Sequence, residues 1–415
     1  MNDNDRSITG FSMLAHGIFH TYELSIPIFI VIWLDVFDVS AFVLGVVVSI
    51  GYGLIGVGAL PSGVLADNYG SRELIVASVV GMGGGFFLLA LAPNIYTLCA
   101  AIIVWGGAAS IYHPAGLSLI SRGAEERGTV FAYHGVGGNI GTAFGPLLAA
   151  LLLLFLDWRL VIVLLVVPAV AVVILGSSME FDETAATATD GGEPDDPEDE
   201  LTATDEGDNG FDLREIVADS RLLFTTGFAL AFVIVMLYGT YYRGLLTFMP
   251  DMIADLPQFG TFTIMGQSAE PAQYIYTGLL MVGILGQYAG GRVTDLIRTE
   301  YALLSTLTIL GALAILFLPA ASAGVLPFLV LCGILGFCLY ATAPIYQVVI
   351  AEYAAEDVHG LSYGYTYLGM FGFGAGGAAL AGGLLTYFNA AALLGTLGVI
   401  AFVAAALVVV VLKAL

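Results

Sequence analysis

Apolar residues in this chain neither alternate nor keep to one stripe. They run on for helix-length stretches, stop at a short polar or glycine- and proline-bearing break, and run again. Such windows cover residues 9–34, 40–62, 74–92, 95–120, 128–154, 159–178, 221–249, 273–297, 301–319, 325–351, 358–386 and 390–412. About 20 apolar residues at 1.5 Å rise cross a hydrocarbon core about 30 Å thick. A helix that is apolar all round needs such a solvent, because it has no polar face to offer water. The pattern therefore predicts an all-α membrane protein with twelve transmembrane helices. Strands of a membrane barrel would alternate apolar and polar over about ten residues, and no such alternation is present. The acidic start MNDNDR leads directly into the first window, so that segment is expected to stay as a helix.

The longest interruption lies in the middle. Residues 179–219 separate six windows (1–178) from six (220–415), and 16 of the 34 acids fall between Glu180 and Asp219. A stretch such as GGEPDDPEDELTATDEGDNG has little to bury and much to repel, so an acidic, disordered cytoplasmic linker is expected. Composition agrees with the membrane reading: 59% of the 415 residues are hydrophobic and only 11% charged. A net charge of −23 argues against nucleic acid as a partner. A single lysine, Lys413, among so many acids suggests a halophilic cell with high internal salt. With both termini cytoplasmic, nine of the eleven basic residues fall at cytoplasmic ends or loops, leaving Arg159 outside and Arg243 within a span. That bias places the protein as multi-pass in the plasma membrane. Cys99, Cys332 and Cys338 lie in apolar runs at spacings that fit no metal motif and read as packing residues.

The two halves echo each other. Gly63-Val-Leu-Ala-Asp67 matches Gly291-Arg-Val-Thr-Asp295, Pro114 matches Pro344, and Arg127-Gly128 matches His359-Gly360, at offsets of 228, 230 and 232 residues. Two six-helix pseudo-repeats point to a transporter whose bundles rock around a site near the bilayer midplane. A phosphate-binding G-x-x-x-x-G-K-[ST] loop is absent, so transport is expected to run on an ion gradient or on the gradient of the solute itself. GLSYG (360–364), GYGLIG (51–56) and GFGAGG (372–377) imitate enzyme or nucleotide motifs, but each sits in a predicted membrane helix without the strand those motifs require. No enzyme, cofactor or metal constellation is expected.

GVLADNYGSR (63–72) resembles the loop signature between helices two and three of the major facilitator superfamily, with Gly63, Leu65, Asp67, Gly70 and Arg72 matching and Asn68 and Ser71 replacing basic residues. The resemblance implies that this loop, with Asp67 and Arg72, and Asp295 in the second half, forms a cytoplasmic gate between the bundles. A plain helix N-cap is the other reading of Asp67. YHPAGLSLISR (112–122), FAYHGVGGNIGTAFGP (131–146) and YYRGLLTFMP (241–250) look like the branch that includes the fosmidomycin-resistance transporters, which implies efflux of a drug or small metabolite coupled to protons. Gly141, Gly145 and Pro146 resemble the antiporter motif G-x-x-x-G-P-x-x-G-G, with Ala149 and Ala150 in place of the last glycines; close helix packing explains the same residues equally well. The buried Arg of the family's R-x-x-Q-G in helix four is absent, with Ile102 and Trp105 there instead.

Candidate chemistry gathers in LAHGIFHTYELSIP (14–27). His16, His20 and Glu23 fall at i, i+4 and i+7, one face of a helix. Counted from Ile8, His20 lies about 18 Å and Glu23 about 22 Å along the span. A charge at that depth costs about 2.5–3.5 kcal/mol on insertion scales and so faces a cavity or a partner. Glu23 is the one acid well inside a predicted span and Arg243 the one base, which suggests a pair across a central cavity or two contacts to a polar solute; a snorkelling Arg243 is the alternative. His113, ahead of Pro114, and His134 join His16 and His20 as candidate proton relays, or as donors that merely tie helices together. Tyrosines of the second half (Tyr238, Tyr241, Tyr242, Tyr340, Tyr346, Tyr363, Tyr365 and Tyr367) could wall an organic solute or serve packing. The resulting expectation is a monomeric secondary transporter in the lipid bilayer, moving a small-molecule substrate by proton-coupled efflux. A symporter or sodium-coupled carrier, and a non-transporting membrane sensor, are the alternatives.

Overall fold

The computed structural model describes residues 1–188, 220–264, 267–354 and 359–414; the side chains of 63, 64, 67, 68, 187, 188, 264, 267, 359, 360 and 414 lie outside that description. The polar breaks in the apolar pattern act as helix caps. Asn2 caps α1 (Asp3–Phe37), Ser40 caps α2 (Ala41–Tyr69), Asn94 forms a capping box with Thr97 at α4 (Ile95–Gly123), and Asp157 caps α6 (Trp158–Ser178). Between them lie α3 (Ser71–Leu91) and α5 (Arg127–Leu153). The tight α2–α3 turn places Gly70 at φ +81°, a conformation that glycine adopts without a Cβ penalty.

The second half contains α7 (Thr226–Ala254), capped by Thr225, then α8 (Pro271–Thr294), α9 (Thr299–Ala323) and α10 (Val325–Tyr353). The next helix, α11, is composite, built from His359–Tyr367, a π-helical turn Leu368–Phe373, and Gly376–Tyr387. The last helix is α12 (Ala390–Ala414). Eleven of these helices are long and apolar enough to cross a membrane by length and composition. The remaining one, α8, has 24 residues and lower hydropathy. Helix α7 starts five residues later than hydropathy suggests because Thr225, not Arg221, supplies the cap. A two-stranded hairpin, Phe262–Ile264 with Gln267–Ala269, joins α7 to α8 and was not legible in the apolar pattern. Residues 180–188, assigned to the linker by composition, fold back on the first half: Glu183 Oε2 accepts from the amides of Ser71 (2.7 Å) and Arg72 (3.3 Å) at the start of α3. Residues 189–219 lie outside the described residues.

The same pairings recur in both halves. Helix α4 packs on α2 and α3, and α10 on α8 and α9; α1 packs on α5, and α7 on α11. The two bundles meet along α1–α7, α2–α11 and α5–α8. Ser49 Oγ donates to the Ala375 carbonyl at 2.7 Å and accepts from the Ala379 amide at 2.9 Å, while the Phe42 amide donates to Thr386 Oγ1 at 2.9 Å. These bonds lie at the end of the bundle opposite the chain termini. Large apolar side chains that remain exposed, such as Val57, Phe144, Ile174, Leu285 and Val399, are those a bilayer would cover.

The α1–α5 contact depends on missing side chains. A Cβ on Gly141 would overlap the Gly17 carbonyl, and one on Gly145 would meet Thr21 Cα at 2.6 Å. Backbones this close gain dispersion contacts that lipid tails cannot displace. We expect Gly141→Ala to cost about 1–3 kcal/mol through overpacking, read as a lower melting temperature in detergent. Gly135→Ala, on the same helix with nothing within 4 Å of the added atom, is the control and is expected to be neutral or stabilising.

Candidate functional site

Pro27 shapes the centre of α1. Its ring nitrogen has no hydrogen, so the carbonyl four residues back, that of Glu23, loses its helical partner. Tyr52 of α2 donates its hydroxyl to that carbonyl at 3.1 Å, and Tyr276 of α8 donates to the neighbouring Leu24 carbonyl at 3.1 Å. In hydrocarbon an unmet carbonyl costs several kcal/mol. The proline thus calls for a donor from outside α1, which Tyr52 supplies, while Tyr276 ties the neighbouring turn to the opposite half.

The Glu23 side chain lies one turn before Pro27, 2% exposed. One carboxylate oxygen, Oε1, accepts from Arg243 Nη2 of α7, joining the two halves by a buried ion pair. The other, Oε2, accepts from His20 Nδ1 at 2.7 Å. Arg243 is equally buried, and its guanidinium carbon lies 3.9 Å from the Tyr52 ring centroid, 5.2 Å from that of Phe371 and 5.3 Å from that of Tyr242. Aromatic faces are a favourable surface for a desolvated cation. A snorkelling Arg243 is therefore not what the fold contains.

Histidines continue the chain of contacts. His20 Nε2 lies 3.1 Å from His16 Nε2, and His16 Nδ1 donates to the His134 carbonyl at 2.8 Å. The His134 ring stacks on His16 at 3.9 Å between centroids and reaches Tyr112 Oη at 3.2 Å. Gly138 makes room for this stack, since a Cβ there would lie 2.5 Å from His16 Cε1. His113 packs edge-on against Phe19 and stacks against Tyr367 at 5.1 Å, with its Nε2 buried and without a hydrogen-bond partner among the described residues. All four histidines, drawn from α1, α4 and α5, line one cavity of about 670 Å³ together with Glu23.

That cavity lies between the halves. Leu117, Ser121 and Phe131, at the ends of α4 and α5 nearest the termini, line it from the first half, and Tyr238, Tyr242, Tyr340, Tyr346, Tyr363 and Tyr367 form the wall from the second half. Asn139, Thr142, Gln287, Gln347 and Thr366 add hydrogen-bonding groups. The volume is that of a site for a drug-sized molecule. Tyr241 is buried away from the cavity, donating to the Leu310 carbonyl at 2.8 Å, and Tyr365 contacts Ser220 at 2.8 Å.

The remaining candidates lie elsewhere. Arg72 Nη2 donates to the carbonyls of Gly176 (2.9 Å) and Ser177 (3.0 Å) within the first half. Asp295 is the C-cap of α8. Asp67 and Gly63 fall in the last turns of α2, and their side chains lie outside the described residues. Gly141, Gly145 and Pro146 lie along the α1–α5 contact. Tyr52, Tyr276 and Phe371 were not singled out from the sequence. Pro27 was the available signal for the first, because it announces an orphan carbonyl at Glu23. Phe371 lies within the π-helical turn of α11, which the apolar pattern does not announce.

Removing one member of a buried ion pair leaves the other uncompensated, whereas removing both does not. Glu23→Leu and Arg243→Leu are each expected to lose about 3–5 kcal/mol. The double variant should lose less than the sum of the two. Thermal unfolding in detergent of all four proteins checks this as a double-mutant cycle.

Known proteins share these features. Residues 11–269 match the Major Facilitator Superfamily. The chain is 35% identical over 103 residues to the puromycin resistance protein pur8 of Streptomyces alboniger, a stretch that is 24% of this chain and 20% of that protein. It is 32% identical over 126 residues, 29% of each chain, to a Na(+), Li(+), K(+)/H(+) antiporter of Planococcus maritimus. The matched stretches thus span about a fifth to a third of these relatives. The fold is similar to a bacterial homolog of the human lysosomal transporter Spinster, solved in an inward-facing, occupied conformation, with a TM-score of 0.71 at 14% identity over 100% of this chain and 98% of that one. Multi-pass helices, two repeated bundles, a central cavity and the matched residues lead to one conclusion: the chain is a multi-pass membrane protein that belongs to the Major Facilitator Superfamily.

Proposed function

We propose that this transporter exports a small organic compound of mixed polarity in exchange for protons, with Glu23 as the group that gains and loses the proton. The observation that carries the reading is the division of one carboxylate between Arg243 of the opposite half and His20 at the cavity wall. A proton arriving through His16 and His20 would neutralise Glu23 and remove the ionic part of its bond to Arg243. The seam between α1 and α7 would then loosen, and the bundles could rock. Departure of the proton restores the pair. A tyrosine-rich wall with scattered amides suits a solute that is partly aromatic and partly polar. Drug resistance is named for pur8 and proton antiport for the Planococcus protein, and both favour export over uptake. The resemblance to the fosmidomycin-resistance branch supports the same direction.

The sidedness of the basic residues supports a plasma-membrane protein with cytoplasmic termini, so the cavity between the halves opens inward. Asp67, Arg72 and Asp295 then lie at the end that must close in the opposite state, and the α1–α5 glycines allow α1 to move against a smooth partner. One chain supplies both halves, so a monomer suffices.

Proteoliposomes with an imposed pH gradient, read by an internal pH-sensitive dye, test the reading. Puromycin and a panel of other amphipathic antibiotics are added one at a time. We expect at least one compound to collapse the gradient through the wild type and none to do so through Glu23→Gln. A response that persists undiminished in Glu23→Gln removes Glu23 from coupling. A response only under a sodium gradient, as the cation-antiporter relative allows, replaces the proton with sodium.

A further inference from the structure

We propose that His16, His20 and His113 form a binding site for one divalent first-row transition-metal cation, with zinc as the representative, at the wall of the central cavity. One ring nitrogen from each of the three lies within 4.8 Å of the others. The inference goes beyond the transport reading and does not depend on it.

Tautomers set the positions of the lone pairs. The His134 carbonyl can only accept, so His16 Nδ1 at 2.8 Å carries the hydrogen. The Glu23 carboxylate, paired with Arg243, also accepts, so His20 Nδ1 at 2.7 Å carries one too. In both neutral rings the lone pair is therefore on Nε2, and these two nitrogens face each other at 3.1 Å. Two lone pairs at that distance repel unless a proton or a cation lies beside them. Tetrahedral zinc with Zn–N bonds of about 2.0–2.1 Å holds its nitrogens roughly 3.3 Å apart. The His16–His20 separation is already close to that value.

His113 supplies the third ligand. Its Nε2 is buried and has no hydrogen-bond partner among the described residues. Its ring comes from α4 while the other two come from α1, so the metal would clip two helices together. Three imidazoles with a fourth position open to the cavity form the donor set expected for an exchangeable zinc, cobalt or nickel site. The partners behind the ligating rings are also in place. A carboxylate behind His20 and a carbonyl behind His16 fix the two rings, as outer partners of metal-binding histidines commonly do. The α1 spacing His16–His20 shows two of the ligands in the sequence, but the third, 93 positions beyond His20 at His113, is brought in only by packing of α1 on α4.

The test uses the full chain, purified in detergent, free of any affinity tag, in excess magnesium to mask the acidic linker. Zinc titration calorimetry is expected to show one saturable site, and cobalt to give the intense visible bands of tetrahedral coordination. His20→Gln and His113→Gln should each weaken zinc binding by about tenfold or more. His113→Cys, which restores a ligand, should retain it. His134→Phe keeps the stacked ring and the carbonyl, and should leave zinc binding unchanged. Melting curves without metal establish that each variant is folded, and zinc should raise the wild-type melting temperature. A wild type that binds no zinc under these conditions overturns the site, as does tight binding that persists in folded His20→Gln and His113→Gln. Pale octahedral cobalt spectra would assign the metal to the carboxylates instead and overturn it too.

Discussion

Glu23 and Arg243 are opposite charges buried together on different halves of the molecule, and much of the central architecture derives from the cost of holding them there. Neither could stay ionised alone at mid-membrane depth without several kcal/mol of penalty. Each therefore requires the other, and α1 must meet α7. The pair is further lined by Tyr52, Tyr242 and Phe371, whose ring faces cover the guanidinium. Only one oxygen of Glu23 is turned to Arg243; the other, held by His20, borders the cavity. The same residue thus belongs both to the seam and to the site. On the proposed reading, that double membership is how a proton at the cavity wall is felt by the contact between the bundles.

Two features of the backbone put this pair in place. Pro27 frees the Glu23 carbonyl, which Tyr52 satisfies, and Tyr276 of the other half donates to the next carbonyl, that of Leu24, so the centre of α1 is held from both halves. The α5 glycines let α1 approach until backbone meets backbone, which presses His16 into the space left open at Gly138. In α11 Tyr367, just before the π-helical turn, stacks on His113, and Phe371 within it lies against Arg243. An added residue in a helix rotates every later side chain about the axis, and π-turns are frequent where a protein aims side chains at a site.

The apolar runs disclosed the helices because a bilayer leaves the backbone no partner but itself, and the polar breaks disclosed several of their starts because Ser40, Asn94 and Asp157 are caps. Glu23 and Arg243 stood out for the same reason: charges are rare in such runs. The tyrosines were legible as a group but not singly. Tyr242 and Tyr367 face the cavity while Tyr241, one residue from Tyr242, donates to α9, and only helix rotation separates these fates. Tyr52 gave no sign of its role, because an isolated tyrosine in an apolar helix has the same local pattern whether it packs or caps a carbonyl. The meeting of His16, His20 and His113 was equally hidden. No sequence spacing encodes the approach of α4 to α1, so a chain without a recognisable metal motif can still bring three imidazoles together.

The central claim is that the protonation state of Glu23 sets the balance between open and closed ends of the transporter. Its most direct test is the distance between spin labels at Val43 and Tyr387, exposed positions on α2 and α11 at the end opposite the termini, in a chain with Cys99, Cys332 and Cys338 replaced. Pulsed electron resonance at acidic and alkaline pH should show a wild-type distance distribution that shifts with pH, and a Glu23→Gln distribution that is the same at both. A pH-dependent shift that survives unchanged in Glu23→Gln would contradict the account.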